Sequence, residues 1–349
     1  MSRQTALDNI HLRPTTRWAH TEYSLEYHKP YIQRLTGMDS SHPAAMSRTF
    51  DLWGLDFLFC TNDGLHGDWR QRGRATNMGH ARYASDGSDF VPAQQSPFNS
   101  AEEVWAFDPA AEYGLPDFSA QVAAYEQWHQ AMRAQHPDQL VTGGFYKTLI
   151  SGAIEAFGWE MLLLGASDAH KMEGVFDRLF RFTKFHMDAW AQTSVEVIIQ
   201  HDDFVWSAGP FMNPRIYREA LIPRYAELWE PLHQAGKKVL FCSDGTFTQF
   251  MPDLAAAGAD GFIFEPTNDW QYMVEHFGQT HCLVGSDVDC RDLSFGSWET
   301  VRRTLDRTFS LAARCRGIIL AVGNHLPPNI PEPMMDRYIE YLKANWSRR

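Results

Sequence analysis

Seven times along this chain a short apolar run reads as a strand, and helical text separates nearly all of them. The runs lie at 55–60, 140–146, 195–200, 238–241, 261–264, 281–285 and 317–322. The clearest is Lys238-Val239-Leu240-Phe241, which stops at Cys242-Ser243-Asp244-Gly245 and feeds a helical pattern at Phe247, Phe250, Met251 and Leu254. A strand that ends in reactive groups and then enters a helix is one unit of a parallel α/β fold. Repetition along the whole length predicts a (β/α)8 TIM barrel rather than an open doubly wound sheet, which needs fewer units. Neither GxGxxG nor GxxxxGK[ST] occurs. The eighth strand has no obvious run and is sought in the Arg- and Gly-rich region after residue 60.

A single barrel domain spanning 1–349 accommodates this length. Residues 1–50 read as an irregular lead-in, and 61–100, long and without periodicity, as a loop excursion over the barrel mouth. A hydrophobic content of 44% supports a sizeable core, and a formal charge of −12 argues against nucleic acid and anionic membrane surfaces. No apolar stretch is long enough to span a bilayer, and the polar start lacks a signal-peptide core. The five cysteines, Cys60, Cys242, Cys282, Cys290 and Cys315, are dispersed, which suits a reducing cytoplasm.

Six of the runs end in chemistry: Asn62 and Asp63; Asp202 and Asp203; Cys242 and Asp244; Glu265; Asp287; Asn324 and His325. One such aspartate is ordinarily a helix cap. Six ends that include Cys and His, converging on the C-terminal face of a barrel, describe an active site. Asn62, Asp63, Asp202, Asp203 and Asp287 are the expected catalytic groups, and Tyr146 and Asn324 the expected substrate contacts. Cys242 and Asp244, two residues apart on an extended backbone, point to one side as half of a metal site; the alternative is a buried cysteine before a helix cap.

From about His201 onward the chain resembles the uroporphyrinogen decarboxylase superfamily. The resemblance rests on Asp202-Asp203, Cys242-Ser243-Asp244-Gly245, Glu265-Pro266, Gly285-Ser286-Asp287-Val288-Asp289 and Gly323-Asn324-His325-Leu326-Pro327-Pro328. It implies a (β/α)8 barrel with one of two activities: cofactor-free decarboxylation, or zinc-dependent methyl transfer with a corrinoid protein. The decarboxylase's Arg-Gln-Ala-Gly-Arg signature is missing, with Arg13-Pro14-Thr15-Thr16-Arg17-Trp18 in that region, and Gly323-Asn324-His325 stands in place of its Gly-His-Gly. Methyltransferases of the family bind zinc through His-x-Cys and a distant Cys. Cys242-x-Asp244 lies at the first pair and Asn324-His325 at the third ligand, so the resemblance implies Cys242, Asp244 and His325 as ligands, with Glu265 a rival for Asp244.

The expected function is therefore metal-assisted methyl transfer between a small methylated substrate and a separate corrinoid protein. Decarboxylation or another lyase reaction on a small non-porphyrin carboxylate is the alternative. The run Asp168-Ala169-His170-Lys171-Met172-Glu173-Gly174 is similar to a cobalamin-ligating motif, but its glycine falls one residue late in helical context. The corrinoid is thus expected on a partner. Whether the barrel pairs as a homodimer stays open.

Overall fold

Each of the seven expected runs forms a strand, and the eighth comes from the lead-in. The computed structural model describes residues 2–61, 69–78 and 95–348, with the backbone alone of 82–83 and 89–90. The strands are β1 (Ala19–His20), β2 (Phe57–Leu58), β3 (Leu140–Val141, then Gly143–Phe145), β4 (Val197–His201), β5 (Lys238–Cys242), β6 (Gly261–Ile263), β7 (Cys282–Val284) and β8 (Gly317–Leu320). All are parallel, and pairing runs from β1 through β8, β7, β6, β5 and β4 to β3, whose first segment pairs with β2. The Asp56 N–H donates to His20 O at 2.8 Å, which closes β2 on β1. The eighth strand is therefore Ala19–His20, not a segment of the Arg- and Gly-rich region. Of the expected excursion at 61–100, only part lies within the described residues; there Arg82–Tyr83 pairs antiparallel with Asp89–Phe90.

Strands covered on both faces are near-continuously apolar, and β4 and β5 are buried along almost their whole length. Alternation still assigns the faces. Ala19, Phe57, Leu140, Val197, Ile199, Leu240, Cys242, Ile263, Cys282, Val284 and Ile319 pack together inside the barrel. Helix α1 (Ser2–Ile10) joins them with Ala6, Leu7 and Ile10, so it plugs the barrel below the strands. The intervening residues, such as Ile198, Val239, Phe241, Phe262 and Ile318, face the helices.

Helical text expected at 149–193 with a break near Gly165 becomes α2 (Ile150–Gly165) and α3 (Ala169–Ala191). Asp168 caps α3 by accepting the Lys171 N–H, and Met172, Val175, Phe176, Leu179, Phe182, His186, Met187 and Trp190 form its buried stripe. Against this layer pack Phe118–Gln135 and Ile222–Gln234. No helix among the described residues is long and apolar enough to cross a membrane.

Candidate active site at the strand ends

Register brings the reactive groups together. His201 pairs directly with Cys242 across β4 and β5. Because both side chains face the barrel interior, Asp203 and Asp244, two residues further on, leave the sheet side by side. His201 Nε2 lies 2.9 Å from Asp203 Oδ1, and Cys242 also hydrogen-bonds the imidazole. The Asp244 N–H donates to Asp203 Oδ1 at 3.0 Å, and the Tyr146 hydroxyl donates to Asp203 Oδ2 at 2.8 Å. The Tyr146 ring stacks on His201 at 4.1 Å, while Phe59 meets that imidazole edge-on at 5.7 Å. The stack and the edge contact together restrict the tilt of His201.

Burial works against a charged imidazole, but Cys242 and Asp203 outweigh it and hold the His201 pKa well above its ordinary value. Burial would raise Asp203, yet the His201 charge and the hydrogen bonds from His201, Asp244 and Tyr146 hold it below the carboxylate range. Asp244 goes the other way: burial first, then the charges of Asp203 and Glu265, push it well up. Burial also raises the Cys242 thiol, opposed by His201.

The ends of β6 and β8 form a second cluster. Gly323 is required at the turn, since a Cβ there would meet Pro266 Cδ at 1.9 Å. Asn324 follows in left-handed backbone, φ 68°, which asparagine tolerates better than most residues. Its Nδ2 donates to Glu265 Oε1 at 2.6 Å and to Asp244 Oδ2 at 3.4 Å, while its Oδ1 lies 2.5 Å from His325 Nδ1. Glu265 Oε2 accepts the Gly245 N–H at 2.5 Å. An amide thus sits between Asp244, Glu265 and His325, three of the groups expected, with Cys242, to share a metal. The trio whose ligand atoms do converge, all within 4.8 Å, is His201, Asp203 and Asp244. Imidazole with two carboxylates is a sound donor set for a catalytic zinc, so the chain fits such an ion here, with Asp244 the one ligand shared with the expected set.

Both clusters open into one cavity of about 700 Å³, which also takes in Glu22, Tyr23, Glu26, Phe59, Tyr146, Trp159 and Met78. No Lys or Arg is among its described lining residues.

Two expected catalytic groups are elsewhere. Asp202 faces away from the barrel interior and is fully buried. It accepts the backbone N–H groups of Leu149, Ile150 and Ser151 at 3.0, 3.0 and 2.7 Å, and the Tyr225 hydroxyl at 2.7 Å, anchoring the start of α2. Asp287 does not line the cavity; it pairs with Arg307 at 3.3 Å. Asn62 and Asp63 lie outside the described residues. Sequence reasoning missed His201 and Tyr23. His201 carried a readable signal: His201-x-Asp203 and Cys242-x-Asp244 repeat one spacing on successive strands.

A family model described as uroporphyrinogen decarboxylase (URO-D) matches residues 156–344. Among solved structures, a methyltransferase from Methanosarcina mazei is similar over 98% of this chain and 98% of that chain, with a TM-score of 0.66 and 15% sequence identity. A D-psicose 3-epimerase from Clostridium cellulolyticum H10 matches 70% of this chain and 86% of that chain, at TM-score 0.38 and 10% identity. No curated protein matches the sequence.

Proposed function

The chain belongs to the uroporphyrinogen decarboxylase family, whose model covers more than half of it, and from this we propose metal-assisted methyl transfer between a small methylated substrate and the corrinoid of a separate protein. The observation that carries the reading is the His201–Asp203–Asp244 trio opening into a cavity with no Lys or Arg among its described lining residues. Decarboxylation of a small non-porphyrin carboxylate, the alternative, would be served by a cationic side chain to hold that carboxylate, so this lining favours transfer. The methyltransferase likeness across 98% of both chains supports the same choice.

Zinc held by the trio would supply Lewis acidity toward a thiol or ether oxygen. The chain's own residues do the positioning. Tyr146 holds Asp203 through its hydroxyl and His201 through its ring. Asn324 ties Asp244 to Glu265, keeping the second carboxylate ligand aimed at the cavity. Phe59, Tyr23 and Trp159 supply apolar wall that displaces water from the substrate. The run Asp168 to Gly174 is committed to capping and opening α3, which suits a corrinoid brought by a partner. The five free cysteines suit a cytoplasmic setting.

The test is elemental analysis together with methyl transfer to reduced cobalamin, followed by its visible spectrum. About one zinc per chain is expected, lost with transfer activity in His201→Ala and Asp244→Ala while the fold survives. Full transfer activity in a metal-free chain would remove the trio from the reaction. Zinc retained by both variants would move the site elsewhere.

A further inference from the structure

The cavity's charge does not balance, and the imbalance has a sign. Five carboxylates line it: Glu22, Glu26, Asp203, Asp244 and Glu265. Glu22 is fully engaged, with His20 Nε2 at 3.0 Å, the Tyr338 hydroxyl at 2.5 Å and the Val322 N–H at 3.0 Å. A dication at the trio would match Asp203 and Asp244. Glu26 and Glu265 are left: Glu26 is exposed to solvent, whereas Glu265 is half-buried and held only by the neutral donors of Gly245 and Asn324, with no ion-pair partner among the described residues. In the same cavity, near Cys242 and Asp244, the Tyr23 hydroxyl is buried and has no hydrogen-bond partner, its ring set edge-on to Phe59 at 5.0 Å. A buried polar group without a partner is costly unless a ligand supplies one.

We infer that the small molecule accepted here is a cation, with a thiol or ether at its metal-facing end and an ammonium at the other. Glu265 is the counter-charge, and Tyr23 offers an acceptor oxygen to the ammonium N–H. The aromatic wall of Tyr23, Phe59 and Trp159 tolerates such a cation through the negative faces of its rings. An anionic thiol of the same size meets Glu265 and Glu26 with no Lys or Arg to offset them among the described lining residues. This inference rests on the methyl-transfer reading for the metal-facing end alone; the charge preference is a property of the cavity.

Three thiols that differ only in the distal group test it: cysteamine, 2-mercaptoethanol and 2-mercaptoethanesulfonate, titrated calorimetrically into the chain as purified. Cysteamine is expected to bind about tenfold more tightly than mercaptoethanol, with the sulfonate weakest. Cysteamine also has the more acidic thiol, so Glu265→Gln is the control. It should bring cysteamine to within about twofold of mercaptoethanol, with zinc content measured on the same sample and the variant reloaded with zinc before titration, because Glu265 also helps to hold Asp244 through Asn324. Equal or tighter binding of the sulfonate, no preference among the three, or a cysteamine preference that survives Glu265→Gln would each overturn the inference. The wild-type series stands even if the variant folds poorly. Failure of methyl transfer with the charge order intact would sink only the proposed reaction, and efficient transfer to the sulfonate would sink only the charge preference.

Discussion

Adjacent aspartates do opposite jobs at the end of β4, and strand parity decides which does what. Asp203 continues the interior row of Val197, Ile199 and His201, whereas Asp202 points outward to the start of α2. Asp202→Ala would strand three backbone N–H groups and the Tyr225 hydroxyl in a buried site, at a cost of about 3 kcal/mol. Asp203→Asn keeps the shape and much of the hydrogen bonding but loses the charge that the proposed metal site needs. Urea unfolding and zinc content on both variants separate the roles. Asp202→Ala is expected to lower the unfolding midpoint more, and Asp203→Asn to lose more metal. The reverse pattern would exchange the two assignments.

At the scale of elements, what the sequence made legible depended on how much of each signal was local. Fully buried parallel strands announce themselves as apolar runs, so all seven appeared close to their observed positions. β1 is two residues long, and Ala19-His20 carries no run to detect; pairing with Ile319 and Leu320 makes it a strand. Two of the His201–Asp203–Asp244 trio were legible from their strand ends, Asp203 and Asp244, whereas His201 shows only in the repeated spacing of His201-x-Asp203 and Cys242-x-Asp244, which gains meaning once β4 and β5 are laid in register. The bridging Asn324 was named as a substrate contact, but its left-handed backbone and the amide between two carboxylates come from the turn against Pro266, which no spacing encodes. The helix layer holds a further feature of this kind. His186 on α3 is buried among aromatic rings beside the Tyr125 hydroxyl at 3.1 Å, and burial pushes its pKa down to about 3. His129 on Phe118–Gln135 is lowered to about 4, again mainly by burial. Both folded values lie below the unfolded one near 6.5, so the unfolded chain takes up protons first as pH falls. Their neutral forms leave stability complete above about pH 6.5, and it declines toward pH 4 and 3 by about 1.4 kcal/mol per pH unit for each. Urea midpoints between pH 7 and 4.5 should fall less steeply in His186→Phe than in the wild type. An unchanged slope would show that this histidine is not what couples the layer to acid.

For the whole molecule, the site depends on a closure made far from it in sequence. β4 and β5 set His201, Asp203 and Asp244 side by side, but the cavity they open into is also lined by Glu22 and Tyr23, which reach it only because the sheet returns on itself through the short β1. Asp56 secures that return. Its side chain is fully buried and takes two guanidinium nitrogens of Arg17 at 2.5 and 2.6 Å, the Ser2 hydroxyl at 2.7 Å and the His20 N–H at 3.0 Å. One carboxylate therefore joins the start of α1, the approach to β1 and the approach to β2. Asp56→Ala removes all of these acceptors and leaves the Arg17 charge without its buried partner, which costs about 3–5 kcal/mol. Arg17→Ala alone should cost less, since Asp56 keeps Ser2 and His20, and the double variant should fall short of the sum because both changes break one interaction. Closure being a property of the whole barrel, the loss should appear as one cooperative unfolding transition at lower urea, with zinc released in the same transition rather than before it. An Asp56→Ala chain that unfolds at the wild-type midpoint would make the lead-in an appendage. Zinc lost well before the main transition would show that the strand ends hold their geometry only locally, and the coupling of site to closure would fall with it.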